Sequence, residues 1–200
     1  LSVENGGRRR GGKGLMGGWA GLPWKAPSVA AQVLALVSFI FGGAGGIVNA
    51  GWQLDNVVHN TLWIRAHVHL TVGTMTTLVF MGVSFWLLPH LTGRALYNRK
   101  MALLSVWLWF LGLMTWGLAG HWAGMDGVPR RAWISGLPHD QYMQLYGAVH
   151  PALIMVGIGG AIAAVGAVLY YIVFFGTLFG KKDAKAMVEI PFTGFLAESK

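Results

Sequence analysis

Two histidines two residues apart, His67 and His69, lie near the start of a long apolar run, DNVVHNTLWIRAHVHLTV (55–72). If the run is helical, each residue rotates the side chain by about 100°, so the two imidazoles leave on nearly opposite sides. A single ion cannot readily take both, because same-face donors need a spacing of three or four. One helix can, however, offer an imidazole to a different partner on each flank. Within a membrane helix an imidazole is costly unless it is coordinated or hydrogen-bonded. A low-dielectric site favours its neutral form, and that is the form haem iron accepts as an axial ligand. The spacing therefore points to two haem irons gripped by one helix, with Thr71, Gly73 and Thr74 small enough to let flat groups approach. The competing reading is two histidines that merely hydrogen-bond neighbouring helices. A zinc site needs further ligands at the same depth, and the sequence offers no such cluster.

Charged residues at one membrane edge extend this chemistry. Arg130 and Arg131 follow Pro129, and guanidinium forks match carboxylates bidentately. They suit the acid tails of a haem, where a plainer reading makes them a solvated loop dipeptide. Asp55 and His59 fall at the same level. They form either a protonatable pair beside those tails, since histidine gains and loses a proton near neutral pH, or part of a helix cap with Asp55 or Asn60 as N-cap. His121 is a candidate for a bond near the same edge, whereas His90, His139 and His150 read as interfacial or packing residues. The tryptophans Trp107, Trp109, Trp116 and Trp122 read as packing and interface residues.

The elements that must position these groups are membrane spans. Of 200 residues, 54% are hydrophobic and only 11% charged, with the charges between the apolar runs. This composition indicates a polytopic membrane protein. Four spans are expected, at about Ser28–Ala50, Asn60–Leu88, Met101–Ala123 and Tyr142–Phe179, the last long enough to tilt or project. Residues 1–27 form an interfacial leader, 28–179 the membrane domain and 180–200 a polar tail. No signal peptide precedes the first span, and the opening Leu1 suggests a processed, truncated or split chain. Four spans put both termini on one side. The leader (Arg8, Arg9, Arg10, Lys13, Lys25), the Arg94–Lys100 loop and the Lys181–Lys185 tail hold most of the net charge of +8, which makes that side cytoplasmic. Arg130 and Arg131 depart from the trend, as if held outside by anions. No basic face interleaved with aromatics indicates nucleic-acid binding, and the chain has no cysteine for disulfides or thiolate sites.

HNTLWIRAHVHLTVG (59–73) resembles the helix that ligates both haems in the catalytic subunits of haem–copper terminal oxidases. GGAGGIVNAGWQLDNVVHN, WLLPHLTG, VWLWFLG and HWAGMDGVPRRAW look most like the B family, the ba-type cytochrome oxidases. The likeness is close from about Gly11 to Trp133 and looser through the fourth span. It implies an all-α bundle in which the four spans are helices nine to twelve of a twelve-helix subunit. It also implies that His67 ligates a high-spin, a-type, oxygen-binding haem and His69 a low-spin, b-type haem. Arg130 and Arg131 would hold propionates, with Asp55 and His59 beside those of the high-spin haem, where protons bound for the outside are loaded.

The copper-B ligands and the second axial histidine of the low-spin haem belong to earlier helices, so the resemblance implies a partner polypeptide carrying the first eight. It further implies a second subunit with dinuclear copper, and cytochrome c, a blue copper protein or quinol as donor, in a prokaryotic plasma membrane. Arg65-Ala66 stands where B-family relatives often have Pro-Gly. Arg65, the only charge near a span interior, is expected to reach outward to a propionate or to an acid of the partner polypeptide. Asn60 replaces the aspartate of the A family, which puts a magnesium site of that kind in doubt. A nitric oxide reductase of the same superfamily, or a two-haem electron relay without catalysis, would share the ligating helix.

Overall fold

A stretch of more than about 20 apolar residues can satisfy its backbone in a bilayer only within itself, as a helix. The computed structural model describes residues 17–132 and 136–181. Within them, four helical stretches are long and apolar enough to cross a membrane: Pro27–Ala50, Leu62–Thr92, Arg99–Met125 and His139–Phe179. The fold is all-α, and the described residues add only an isolated antiparallel bridge between Thr61 and Pro129. After a single turn, α1 (Gly17–Ala20), the first span is α2 (Pro27–Ala50), followed by the short α3 (Trp52–Val58). The second span joins α4 (Leu62–Val68), a π-helical segment (His69–Thr76) and α5 (Thr77–Thr92). The third is α6 (Arg99–Met125). The fourth runs from α7 (His139–Tyr146) through a 3-10 turn at Gly147–Val149 into α8 (His150–Phe179).

The second span begins and ends later than its charges and proline suggest. Neither Asp55 nor Asn60 caps it. Thr61 does, accepting a hydrogen bond from the Trp63 amide at 3.2 Å. At the far end Pro89 lies inside the last turns of α5. Gly93, at φ +62°, then ends the helix by donating its amide to the Pro89 carbonyl at 2.9 Å. The left-handed conformation that stops the chain is cheap only for a residue without Cβ.

Small residues let the spans approach closely, as they do between membrane helices. A Cβ on Gly112 of α6 would lie 2.5 Å from the Ala163 amide of α8, and one on Gly159 would lie 2.5 Å from the Gly112 carbonyl. Gly117 of α6 makes the seat for Leu70, which is fully buried in a core with Leu78, Phe85 and Val106. The outer face of α8 (Ile154, Ile158, Val165, Val168, Ile172) is exposed, as a face meeting lipid or further helices would be.

The helix ends sort by charge. Arg94 Nε donates to the Gly180 carbonyl at 2.7 Å and Arg99 Nε to the Lys25 carbonyl at 3.2 Å. Lys25, the Arg94–Lys100 loop and Lys181 therefore share one end of the bundle. The rest of the leader's cation cluster and most of the basic tail lie outside the described residues.

Candidate functional site

His67 and His69 leave the second span toward different neighbours, as their spacing requires. His67 faces α2, where its Nδ1 donates to the Gly42 carbonyl at 2.8 Å. The GGAGG stretch forms the wall there. A Cβ on Gly46 would stand 3.0 Å from His67 Cε1, and one on Gly42 would stand 2.7 Å from the Thr71 methyl. His69 faces α6 instead. Its Nδ1 donates to the Arg65 carbonyl at 2.8 Å, and its ring stacks on Trp116 with centroids 3.8 Å apart and planes 19° from parallel. A donated Nδ1–H fixes each ring as the tautomer whose Nε2 lone pair is free, the arrangement a metal-ligating histidine needs. Among the described residues no three His, Cys, Asp or Glu side chains converge on one point, so each imidazole is a separate donor. Two such donors, each presenting Nε2 from its own flank, fit a pair of haems.

The backbone from His69 onward is widened. His69–Thr76 is π-helical, a conformation frequent at functional sites. Thr74 Oγ1 donates to the His69 carbonyl at 2.8 Å, and Trp109 Nε1 donates to the Gly73 carbonyl at 3.0 Å. These side-chain donors tie the widened segment to its own turn and to α6.

Beside His69 lies an open-sided cavity of about 350 Å³, lined by Ile64, Arg65, Val68, His69, Arg130 and Arg131. Two backbone features bring the adjacent arginines into it. Arg131 adopts φ +65°, so it does not alternate away from Arg130 as an extended residue would. Arg130 is clamped to the start of the second span, its Nε and Nη2 donating to Asn60 Oδ1 at 3.2 and 2.8 Å and its amide to the Asn60 carbonyl at 2.9 Å. Asn60 itself sits at φ +62°, which asparagine tolerates better than most residues. Arg65 lies with its guanidinium carbon 5.9 Å from the Trp116 ring centroid. Three cations therefore share the cavity with His69.

Asp55 is in α3 rather than a loop. His59, one turn on, caps that helix and pairs with the Asp55 carboxylate at 3.0 Å. His121 is nearer His67 than expected: its ring lies on Trp63 with centroids 4.2 Å apart, and its buried Nε2 faces Gly45, which His67 also meets. His150 bonds to the Tyr142 hydroxyl at 2.7 Å and His90 Nδ1 donates to the Trp86 carbonyl at 2.7 Å, as packing residues do. Asn60 as the arginine anchor, Trp116 as the His69 platform and Gly42 as the His67 acceptor were not legible in the motif. For Gly42 the signal was the glycine run itself.

Residues 13–162 match the family model described as cytochrome C and quinol oxidase polypeptide I. A cytochrome c oxidase subunit 1 of Thermus thermophilus is 44% identical over 95% of this chain and 33% of its own length. A second Thermus thermophilus cytochrome c oxidase subunit 1 is 53% identical over 52% of this chain and 97% of its own. The cryo-EM structure of a heme-copper terminal oxidase dimer superposes with TM-score 0.69 at 27% identity, over 82% of this chain and 28% of that one. The chain thus spans about a third of the length of the first of these Thermus relatives.

Proposed function

From the premise that the chain belongs to the haem–copper oxidase subunit I family, we propose that it is the C-terminal, haem-ligating portion of a B-family terminal oxidase. His67 holds the high-spin, oxygen-binding haem and His69 the low-spin haem. When bound, the haems supply electron transfer and the reduction of oxygen to water. This chain's residues orient the imidazoles, neutralise the propionate charge and hold protons. The observation that carries the reading is the pair of Nδ1-anchored imidazoles, each with Nε2 free and facing a different helix.

Arg130 and Arg131 take the propionates, with Asn60 fixing the first guanidinium so that little entropy is lost on binding. The Asp55–His59 pair, at the same end of the bundle, takes and releases the proton destined for the outside. Copper-B and the remaining axial histidine come from a polypeptide with the first eight helices. Electrons arrive through a copper-carrying second subunit from cytochrome c, a blue copper protein or quinol. The cation-rich end faces the cytoplasm of a prokaryotic plasma membrane.

The test uses the purified oxidase complex carrying His67→Ala or His69→Ala. Loss of the low-spin band in the His69 variant, with carbon monoxide binding kept, and the reverse in the His67 variant, are expected. Both signals surviving in both variants would end the proposal. Turnover with oxygen against nitric oxide separates the oxidase from a reductase of the same superfamily, and two six-coordinate haems blind to carbon monoxide mark a relay.

A further inference from the structure

Arg65 is an odd residue for its place, a permanent charge one turn ahead of a ligand inside an apolar span. No carboxylate of the described residues pairs with it; its guanidinium rests instead 5.9 Å from the centre of the Trp116 ring. The same ring stacks on His69 at 3.8 Å, and the carbonyl of Arg65 accepts the His69 Nδ1 proton. Arg65 is therefore joined to this ligand twice, through its backbone and through a shared aromatic platform. It also lines the His69 cavity with Arg130 and Arg131. His67, by contrast, meets the neutral wall of Gly42, Gly45 and Gly46.

We propose that Arg65 is a fixed field charge, seated on Trp116, that raises the reduction potential of the haem held by His69 relative to the haem held by His67. The proposal rests on the haem-ligation reading above and deepens it. Reduction adds one electron, and a nearby cation favours the electron-richer state. Arginine stays protonated throughout the accessible pH range, so the bias is constant. The indole face attracts the cation and holds it in place. Arg65 is a positioning and tuning residue and makes no bond to the reacting atoms. Its effect is to make the first electron acceptor of the chain a stronger one.

The experiment is a spectroelectrochemical titration of the intact complex as wild type, Arg65→Met, Arg65→Gln and Arg65→Lys, following the low-spin and carbon-monoxide-binding haems separately. Both neutral variants should weaken electron affinity at the low-spin haem about tenfold, equivalent to about 59 mV for one electron. The other haem should move by less than half as much, and Lys should retain most of the wild-type value. Should Met hinder assembly, Gln decides, since its polar head resembles the one removed. A low-spin haem that titrates as wild type in the neutral variants, both haems moving equally, or Lys falling as far as Met overturns the proposal. An unshifted low-spin midpoint potential defeats the tuning role alone, whereas a wild-type complex with no low-spin haem defeats the ligation reading beneath it.

Discussion

Gly42 and Gly43 are neighbours in one helix, and alanine should act on them in opposite directions. At Gly43 a Cβ meets nothing within 4 Å, so Gly43→Ala should only stiffen α2, a gain of about 0.5–1 kcal/mol. At Gly42 the same methyl would stand 2.7 Å from Thr71 Cγ2, 3.2 Å from the Thr71 amide nitrogen and 3.3 Å from the Leu70 carbonyl carbon. Carbon pairs rest at about 3.5–4.0 Å, so α2 must retreat by roughly 0.8 Å or more. The Thr71 methyl cannot simply rotate away, because its hydroxyl donates to the His67 carbonyl at 2.9 Å. A retreat of that size stretches the 2.8 Å bond from His67 Nδ1 to the Gly42 carbonyl toward about 3.6 Å, where it no longer counts as a hydrogen bond. Overpacking costs about 1–3 kcal/mol and the lost bond about 0.5–1.5 kcal/mol. Against the helix gain this leaves a net loss of about 2 kcal/mol. The assay is the iron–imidazole stretch of the five-coordinate haem by resonance Raman. Its frequency should fall and broaden in Gly42→Ala, because an imidazole that loses its Nδ1 acceptor is a weaker donor, and it should stay put in Gly43→Ala. An unmoved band in Gly42→Ala, or an equal shift in both, would refute the reasoning.

Five further substitutions, at four positions, probe the surrounding structure. Asn60→Ala removes the acceptor of two Arg130 bonds and places a Cβ residue without polar atoms at φ +62°, a loss of about 2–4 kcal/mol. Asn60→Gly keeps the backbone and loses only the clamp, so low-spin haem retention in detergent should fall less with Gly than with Ala. Gly112→Val drives a side chain into the Ala163 backbone and should abolish assembly, whereas Gly157→Ala, with nothing within 4 Å, should assemble and, like Gly43→Ala, raise the melting temperature of the complex slightly. Asp55→Asn breaks an exposed pair with His59 worth about 1 kcal/mol or less. Thermal stability should therefore hold while proton release per electron drops; unchanged release removes Asp55 from the proton path.

The opposed facing of His67 and His69 was legible because a spacing of two puts side chains on nearly opposite faces of any helix, whatever its neighbours. The four spans were legible for a similar reason, since length and apolarity alone decide them. Boundaries were not. Asp55 looked like a loop residue because a single acid between apolar runs reads as punctuation, yet Gly51 starts a short helix and Thr61 starts the next. Pro89 follows the expected end of the second span at Leu88, yet it lies inside the last turns of α5, and the left-handed Gly93 sets the stop. Contacts between distant positions were also out of reach. Nothing in the chain pairs Asn60 with Arg130 or Trp116 with His69; those meetings arise from how α4 and α6 are laid side by side.

That arrangement supports the two imidazoles by separate means although they share a helix. His67 owes its orientation to α2, through the Gly42 carbonyl and the glycine wall that lets it approach. His69 owes its orientation to its own preceding turn and to Trp116 of α6. A small displacement of α2 therefore reaches one imidazole and a small displacement of α6 the other, with Leu70 locked between them in Gly117 keeping the shared backbone still. Mutations on α2 and α6 chosen for these contacts should then act additively on the two haem signals, as sites without shared partners do. Strong non-additivity would mean instead that the π-helical segment transmits strain from one ligand to the other.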